Sequence, residues 1–157
     1  MTAELAGDIA NGAYWVREPS PNAEVLIAYQ GAVAPEAIAA VGLLAITSAD
    51  RLNAGWQAAE RARQRGNRGA MSHIERLLQP LSRDCGLVTV LDGHPVTLAW
   101  LGAVRGHRTK ALGVEHFGQT GTIADLCLHH GIDTNAIIHA ANAAAFSRPV
   151  RHLRALP

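Results

Sequence analysis

At 157 residues and 16.6 kDa, with 48% hydrophobic and 17% charged residues, the chain is too apolar for a disordered, fibrous or acidic-tail protein. It suits one domain with a sizeable core, burying roughly 70% of the surface its unfolded form exposes. Fourteen basic and thirteen acidic residues leave a net charge of +1, which gives no field to steer nucleic acid or anionic lipid. So few charges predict that part of the exterior is covered by something else.

Residues 1–24 read as a linker or leading arm, with little periodicity, an aromatic pair at Tyr14 and Trp15, and a stiff turn at Glu18-Pro19-Ser20-Pro21-Asn22 that blocks regular pairing. Val25–Ala28 is an apolar strand, and Pro35 with Glu36 opens a helix after Gln30-Gly31. Leu43–Thr47 is the next strand, and the crossover that joins it to the first is short for a parallel return. Ser48 or Asp50 caps a helix carrying Leu52, Trp56 and Ala59 on one face. Arg61, Arg63, Arg65 and Arg68 form a basic cluster, read as a solvated helix end because no aromatics are interleaved.

A helix over Met71–Leu78 follows, then a strand at Leu87–Leu91 and a helix from Pro95 through Leu98 and Leu101 toward Val104. Lys110–Val114 is a further strand. Thr120 or Thr122 caps a helix that presents Ile123, Leu126 and Cys127 inward and stops near Gly131. Asp133 or Thr134 opens the last helix, Asn135–Ala145, and residues 148–157 form a short basic tail. Strands alternating with helices imply an α/β domain whose mostly parallel sheet is covered on both faces, within the boundaries 25–147.

Asp92–Thr122 is the most informative stretch, because an apolar run there ends in a glycine-rich polar loop that opens a helix. His94 and His116 each lie near a strand's carboxyl end, placed to donate a proton or meet an anion; the plainer role for both is loop packing and backbone hydrogen bonding. Asp92 is placed to hold His94 in one tautomer. Glu115, His116, His129 and His130 invite a metal reading, yet no HxxxH, HExxH or CxxC spacing occurs. Ser72-His73 offers no GxSxG elbow, and the Gly113–Gly121 loop lacks the phosphate cradle of a P-loop. Trp15, Trp56 and Trp100 read as core or contact residues. Asp50 and Arg51 read first as capping groups and second as a partner-facing surface. Cys85 and Cys127 sit in no metal spacing and read as buried reduced thiols. Every apolar run is interrupted before spanning length, and the expected location is cytoplasmic.

Four segments carry a family likeness: Gly12-Ala13-Tyr14-Trp15, Thr47 to Asn53, Ser72-His73-Ile74-Glu75, and GVEHFGQTGTIADLCLHHGID from Gly113 to Asp133. They resemble the carboxyl-terminal domain of the single-chain, homodimeric pyruvate dehydrogenase E1 component in the transketolase superfamily. Phe117, Gly118, Thr120, Ile132 and Asp133 match that family's pattern individually. The resemblance implies a three-layer α/β/α sandwich with a mostly parallel five-stranded sheet. It implies a parent enzyme that decarboxylates pyruvate with thiamine diphosphate and Mg and passes the acetyl group to lipoyl-E2.

The family's Gly-Asp-Gly diphosphate motif and its cofactor-activating glutamate map onto no residue here, so the resemblance implies no catalytic, cofactor-binding or metal residue in this chain. It implies a structural, interface role, with Asp50, Arg51, His94, His116 and Phe117 as edge-loop contacts. The implied partners are the remaining domains of the parent E1 and the homodimer partner, with E2 as a further candidate, and no nucleic acid or membrane. The alternative function is a free-standing α/β protein-binding module working through the Gly113–Thr122 loop, and a third is a small enzyme using His94 or His116.

Overall fold

A computed structural model describes residues 2–20, 22–33 and 42–146. Helix α1 (Ala3–Asn11) starts on Thr2, whose hydroxyl accepts the Leu5 amide, and ends at Gly12 in the left-handed region. Gly12 turns the chain directly into β1 (Ala13–Arg17). Strand β2 (Val25–Gln30) is followed by a single 3-10 turn at Gly31–Val33, and β3 (Leu43–Ile46) by the long helix α2 (Ala49–Gln64), capped by Ser48. Helix α3 (His73–Leu78) opens with a capping box between Ser72 and Glu75. Strand β4 (Gly86–Leu91) leads to two short helices, α4 (Val96–Ala99) and α5 (Leu101–Arg105), then to β5 (Thr109–Leu112), α6 (Ile123–His129) and α7 (Thr134–Phe146).

The five strands form one sheet in the order β1-β3-β2-β4-β5, with β2, β3, β4 and β5 parallel and β1 antiparallel at the edge. Burial explains the order. All six residues of β4 are buried, as a central strand covered on both faces requires, whereas β5 is half exposed at the rim. On one face Leu26, Leu44 and Leu87 meet Leu52 of α2, Ile74 and Leu78 of α3, Leu98 of α4 and Leu101 of α5. On the other, Ile27, Leu43, Val88 and Val90 meet Cys127 of α6 and Ile137 and Ala144 of α7. The result is the three-layer α/β/α sandwich expected from the sequence, with the buried cysteines Cys85 and Cys127 in the core clusters on opposite faces of the sheet.

Residues 3–17, read from the sequence as part of an arm, build α1 and the fifth strand instead. The stiff segment 18–20 comes after the pairing has ended, so it stops β1 without preventing it. The register shift between Trp15 and Arg17 hides the two-residue alternation by which a strand is recognised. Residues 31–42 supply the dozen that a parallel return needs, so the β2–β3 crossover is of ordinary length. The helix expected from Pro35 and the tail 148–157 lie outside the described residues. The helix expected from Pro95 to Val104 is divided at Trp100.

Candidate functional site at the carboxyl edge of the sheet

The chain leaves β2 toward β3 on one side and β4 toward β5 on the other, so the crevice between β2 and β4 is the topological switch of the sheet. Ligands of open parallel sheets gather at the carboxyl ends of such strands. Here Asp92, the first residue past β4, spans the crevice: its Oδ2 accepts the Ala32 amide at 3.1 Å. Gly31 makes room for it, with φ at +80° and space so tight that a Cβ would lie 2.1 Å from Asp92 Oδ1. One strand over, the Val114 amide donates to the Gly93 carbonyl at 2.8 Å, which fastens the loop after β5 to the loop after β4.

That fastening projects residues 115–122 outward until Thr122 restarts helical structure through a reciprocal capping box with Asp125. Hydrogen bonds from Thr122 hold the Asp125 carboxyl below the usual carboxylate range. Between this loop, α6 and the crevice lies an apolar hollow of about 270 Å³, walled by Val33, Val114, Leu126 and Cys127 with Asp92 on one side. Phe117 and Ile123 line it while remaining 81% and 72% exposed. A neighbouring polar hollow of about 370 Å³ is lined by Glu115, His116, Gln119 and His129, and His130 borders both. Among the described residues no group of three or more His, Cys, Asp or Glu is arranged to hold a metal ion.

The residues singled out from the sequence divide between two regions. His116 and Phe117 come together at these hollows. His94 is exposed, and its Nδ1 accepts the Val96 amide at 3.3 Å, so it shapes the start of α4. The pairing of Asp92 with His94 does not form, because the carboxylate is turned across the crevice to Ala32. Asp50 belongs to the helical layer of α2, beside a third hollow lined by Asn53, Gln57, Thr97 and Trp100, where Trp56 and Trp100 stack at 5.4 Å. Arg51 donates from Nη1 to the Ala10 carbonyl at 2.7 Å and so ties α1 to α2. Ile123, expected to point inward, is exposed beside Phe117; Leu126 and Cys127 turn inward as expected. As the first residue of α6, Ile123 sits where the helix has only begun to face the sheet, a position that periodicity alone does not distinguish.

The chain is similar to transketolase from Leishmania mexicana, with 13% identity and a TM-score of 0.62 over 91% of this chain. It spans 19% of the length of that transketolase. No protein-family model and no curated protein matches the chain. The likeness establishes the fold, a transketolase C-terminal-domain-like sandwich. The single Asp-Gly at a strand end, Asp92-Gly93, has its carboxylate on the Ala32 amide and seated against Gly31.

Proposed function

We propose that this chain is the carboxyl-terminal domain of a thiamine-diphosphate-dependent enzyme of the pyruvate dehydrogenase E1 kind, noncatalytic by itself and serving as an interface within a cytoplasmic dimer. The observation that carries the reading is the transketolase-like fold combined with an apolar mouth at Phe117 and Ile123 on its carboxyl edge. Exposed aromatic and branched side chains beside a hollow are the surface a neighbouring domain covers. The choice of pyruvate, lipoyl-E2 and the homodimer rests on the resemblance of the Gly113–Asp133 segment and its three companions. In this reading the cofactor chemistry belongs to other domains of the parent, and the residues of this chain supply contact area.

The test is to immunopurify the native polypeptide from source cells with an antibody raised to this sequence, size it, and assay it for pyruvate-driven ferricyanide reduction with and without thiamine diphosphate. A polypeptide several times larger than 16.6 kDa with cofactor-dependent reduction is expected. A large polypeptide active with a different donor would replace the pyruvate assignment. A native product of 16.6 kDa would overturn the reading and leave the free-standing binding module.

A further inference from the structure

The net charge of +1 conceals a strong separation of charge. Among the described residues at the carboxyl edge and the loops beside it stand Asp50, Asp92, Glu115, Asp125 and Asp133 against one lysine or arginine, Arg51. The opposite end of the α2–α3–α5 layer is rich in arginine, with Glu60, Glu75 and Asp84 as the acids among them. Arg61, Arg63, Arg65 and Arg68 lie at and just beyond the end of α2, Arg76 on α3, Arg83 in the loop before β4, and Arg105 at the end of α5. Of these arginines only Arg63 joins an ion pair among the described residues, and it takes up both Glu60 and Glu75. Glu75 is fully committed: burial alone would raise its carboxyl, but hydrogen bonds from Ser72 and Arg63 outweigh this and hold it below the usual range.

A hollow of about 340 Å³ opens in this region, lined by Arg83, Arg105, Glu75, Met71 and Val104. Arg105 Nε is buried without a hydrogen-bond partner, and so is Nε2 of the neighbouring His107, itself only 6% exposed. The end of α2 accounts for part of the cluster, since Arg63 reaches the Ala70 carbonyl at 2.6 Å and Arg76 the Met71 carbonyl at 3.2 Å. It does not account for Arg83 and Arg105, which line the hollow and join no ion pair among the described residues.

We propose that this arginine-lined hollow is a docking surface for a carboxylate-rich segment of a protein partner. The guanidinium fork matches a carboxylate in two parallel hydrogen bonds, and the aliphatic walls of Met71 and Val104 accept the methylene stems of acidic side chains. Nucleic acid is the poorer fit, because no aromatic side chain lines the hollow to stack a base. A free phosphate is also the poorer fit, because the helix amino end beside the hollow, that of α3, has its Ser72 and Glu75 amides taken up by its own capping box. The inference is independent of the function proposed above.

The test is fluorescence anisotropy with a labelled deca-glutamate peptide against the whole chain across a salt titration, with labelled single-stranded RNA and inorganic pyrophosphate as competing probes. Peptide binding that weakens with salt is expected, reduced at least about tenfold by Arg83→Glu and by Arg105→Lys, which keeps the charge but loses the fork, and unchanged by Lys110→Ser on β5. Arg83 is exposed, so its variant tests the surface even if Arg105→Lys perturbs folding, and unaltered circular dichroism verifies this. Peptide binding indifferent to both arginine variants would overturn the proposal. So would tighter RNA binding sensitive to the same variants, displacement by pyrophosphate at equal charge, or self-association that the variants abolish without peptide binding.

Discussion

Gly113 is where the carboxyl edge is held together most tightly, and replacing it with alanine measures how much that closeness contributes. An added Cβ would stand 2.4 Å from the Gly93 carbonyl oxygen and 2.9 Å from the Pro95 nitrogen, both backbone atoms that cannot swing aside. Relieving the clash requires the loops after β4 and β5 to separate, which strains the 2.8 Å bond from Val114 to Gly93. Overpacking of this kind costs about 1–3 kcal/mol. Against it stands the loss of chain freedom in the unfolded state, about 0.4–1 kcal/mol in favour of alanine. The net is about 1–2 kcal/mol, which lowers Tm by about 2–8 °C for a domain of this size. The control is Gly93→Ala on the facing loop, where the nearest atom is a flexible Leu91 methyl at 3.5 Å; it is expected to leave Tm within about 2 °C. Both are read by thermal and urea unfolding followed by circular dichroism. Equal Tm values for Gly113→Ala and the parent would show that the two loops move apart freely, and the description of a fastened edge would fail.

His107 lends stability a pH dependence of known sign. Burial is the main cause that lowers its pKa, the hydrogen bond to the Cys85 carbonyl opposes this, and the Arg105 charge adds to the lowering. The unfolded chain therefore takes up the proton first, so stability is whole above the ordinary histidine value of about 6.5 and declines as pH falls from there toward the lower folded value. Urea titrations from pH 8 to 5 should show this slope, and His107→Gln should flatten it; an unchanged slope would refute the assignment. Arg51→Ala removes the tie from Nη1 to the Ala10 carbonyl and is expected to cost about 1 kcal/mol, with faster amide exchange in α1 than in α2; uniform exchange in both would count against it. Leu98→Ala, at a fully buried position under α4, should cost about 2–5 kcal/mol in urea unfolding, and a loss below about 1 kcal/mol would show that the cavity collapses.

The central strands were legible because burial on both faces forces continuous apolar runs. Val25 to Ala28, Leu43 to Ile46 and Leu87 to Leu91 cannot be accommodated otherwise. The edges were less legible, since a half-exposed strand such as Ala13–Arg17 needs only a few apolar residues and its bulge breaks their alternation. Caps were readable at Ser48 and Thr122, which precede their helices with the hydroxyl in use, but not at Ser72, which the pattern put inside a helix from Met71 and which in fact caps one that starts at His73. What no local pattern could convey is where a polar side chain turns when two partners compete for it. Asp92 has His94 two positions away in sequence and Ala32 sixty positions away, and the fold decides for Ala32 because Gly31 leaves the space in which a carboxylate meets a backbone amide across the β2–β4 crevice. Arg51 is decided in the same way, reaching the Ala10 carbonyl at the end of α1 from the first turn of α2. The arginines along the α2–α3–α5 layer show the converse. Read along the chain they are a helix end and scattered single charges, and only packing α5 against α3 brings Arg105 and Arg83 to one hollow, outside any ion pair among the described residues. Function in this chain is therefore to be sought where the described residues leave something over, an apolar mouth at one end of the sheet and guanidinium groups outside any ion pair among those residues at the other.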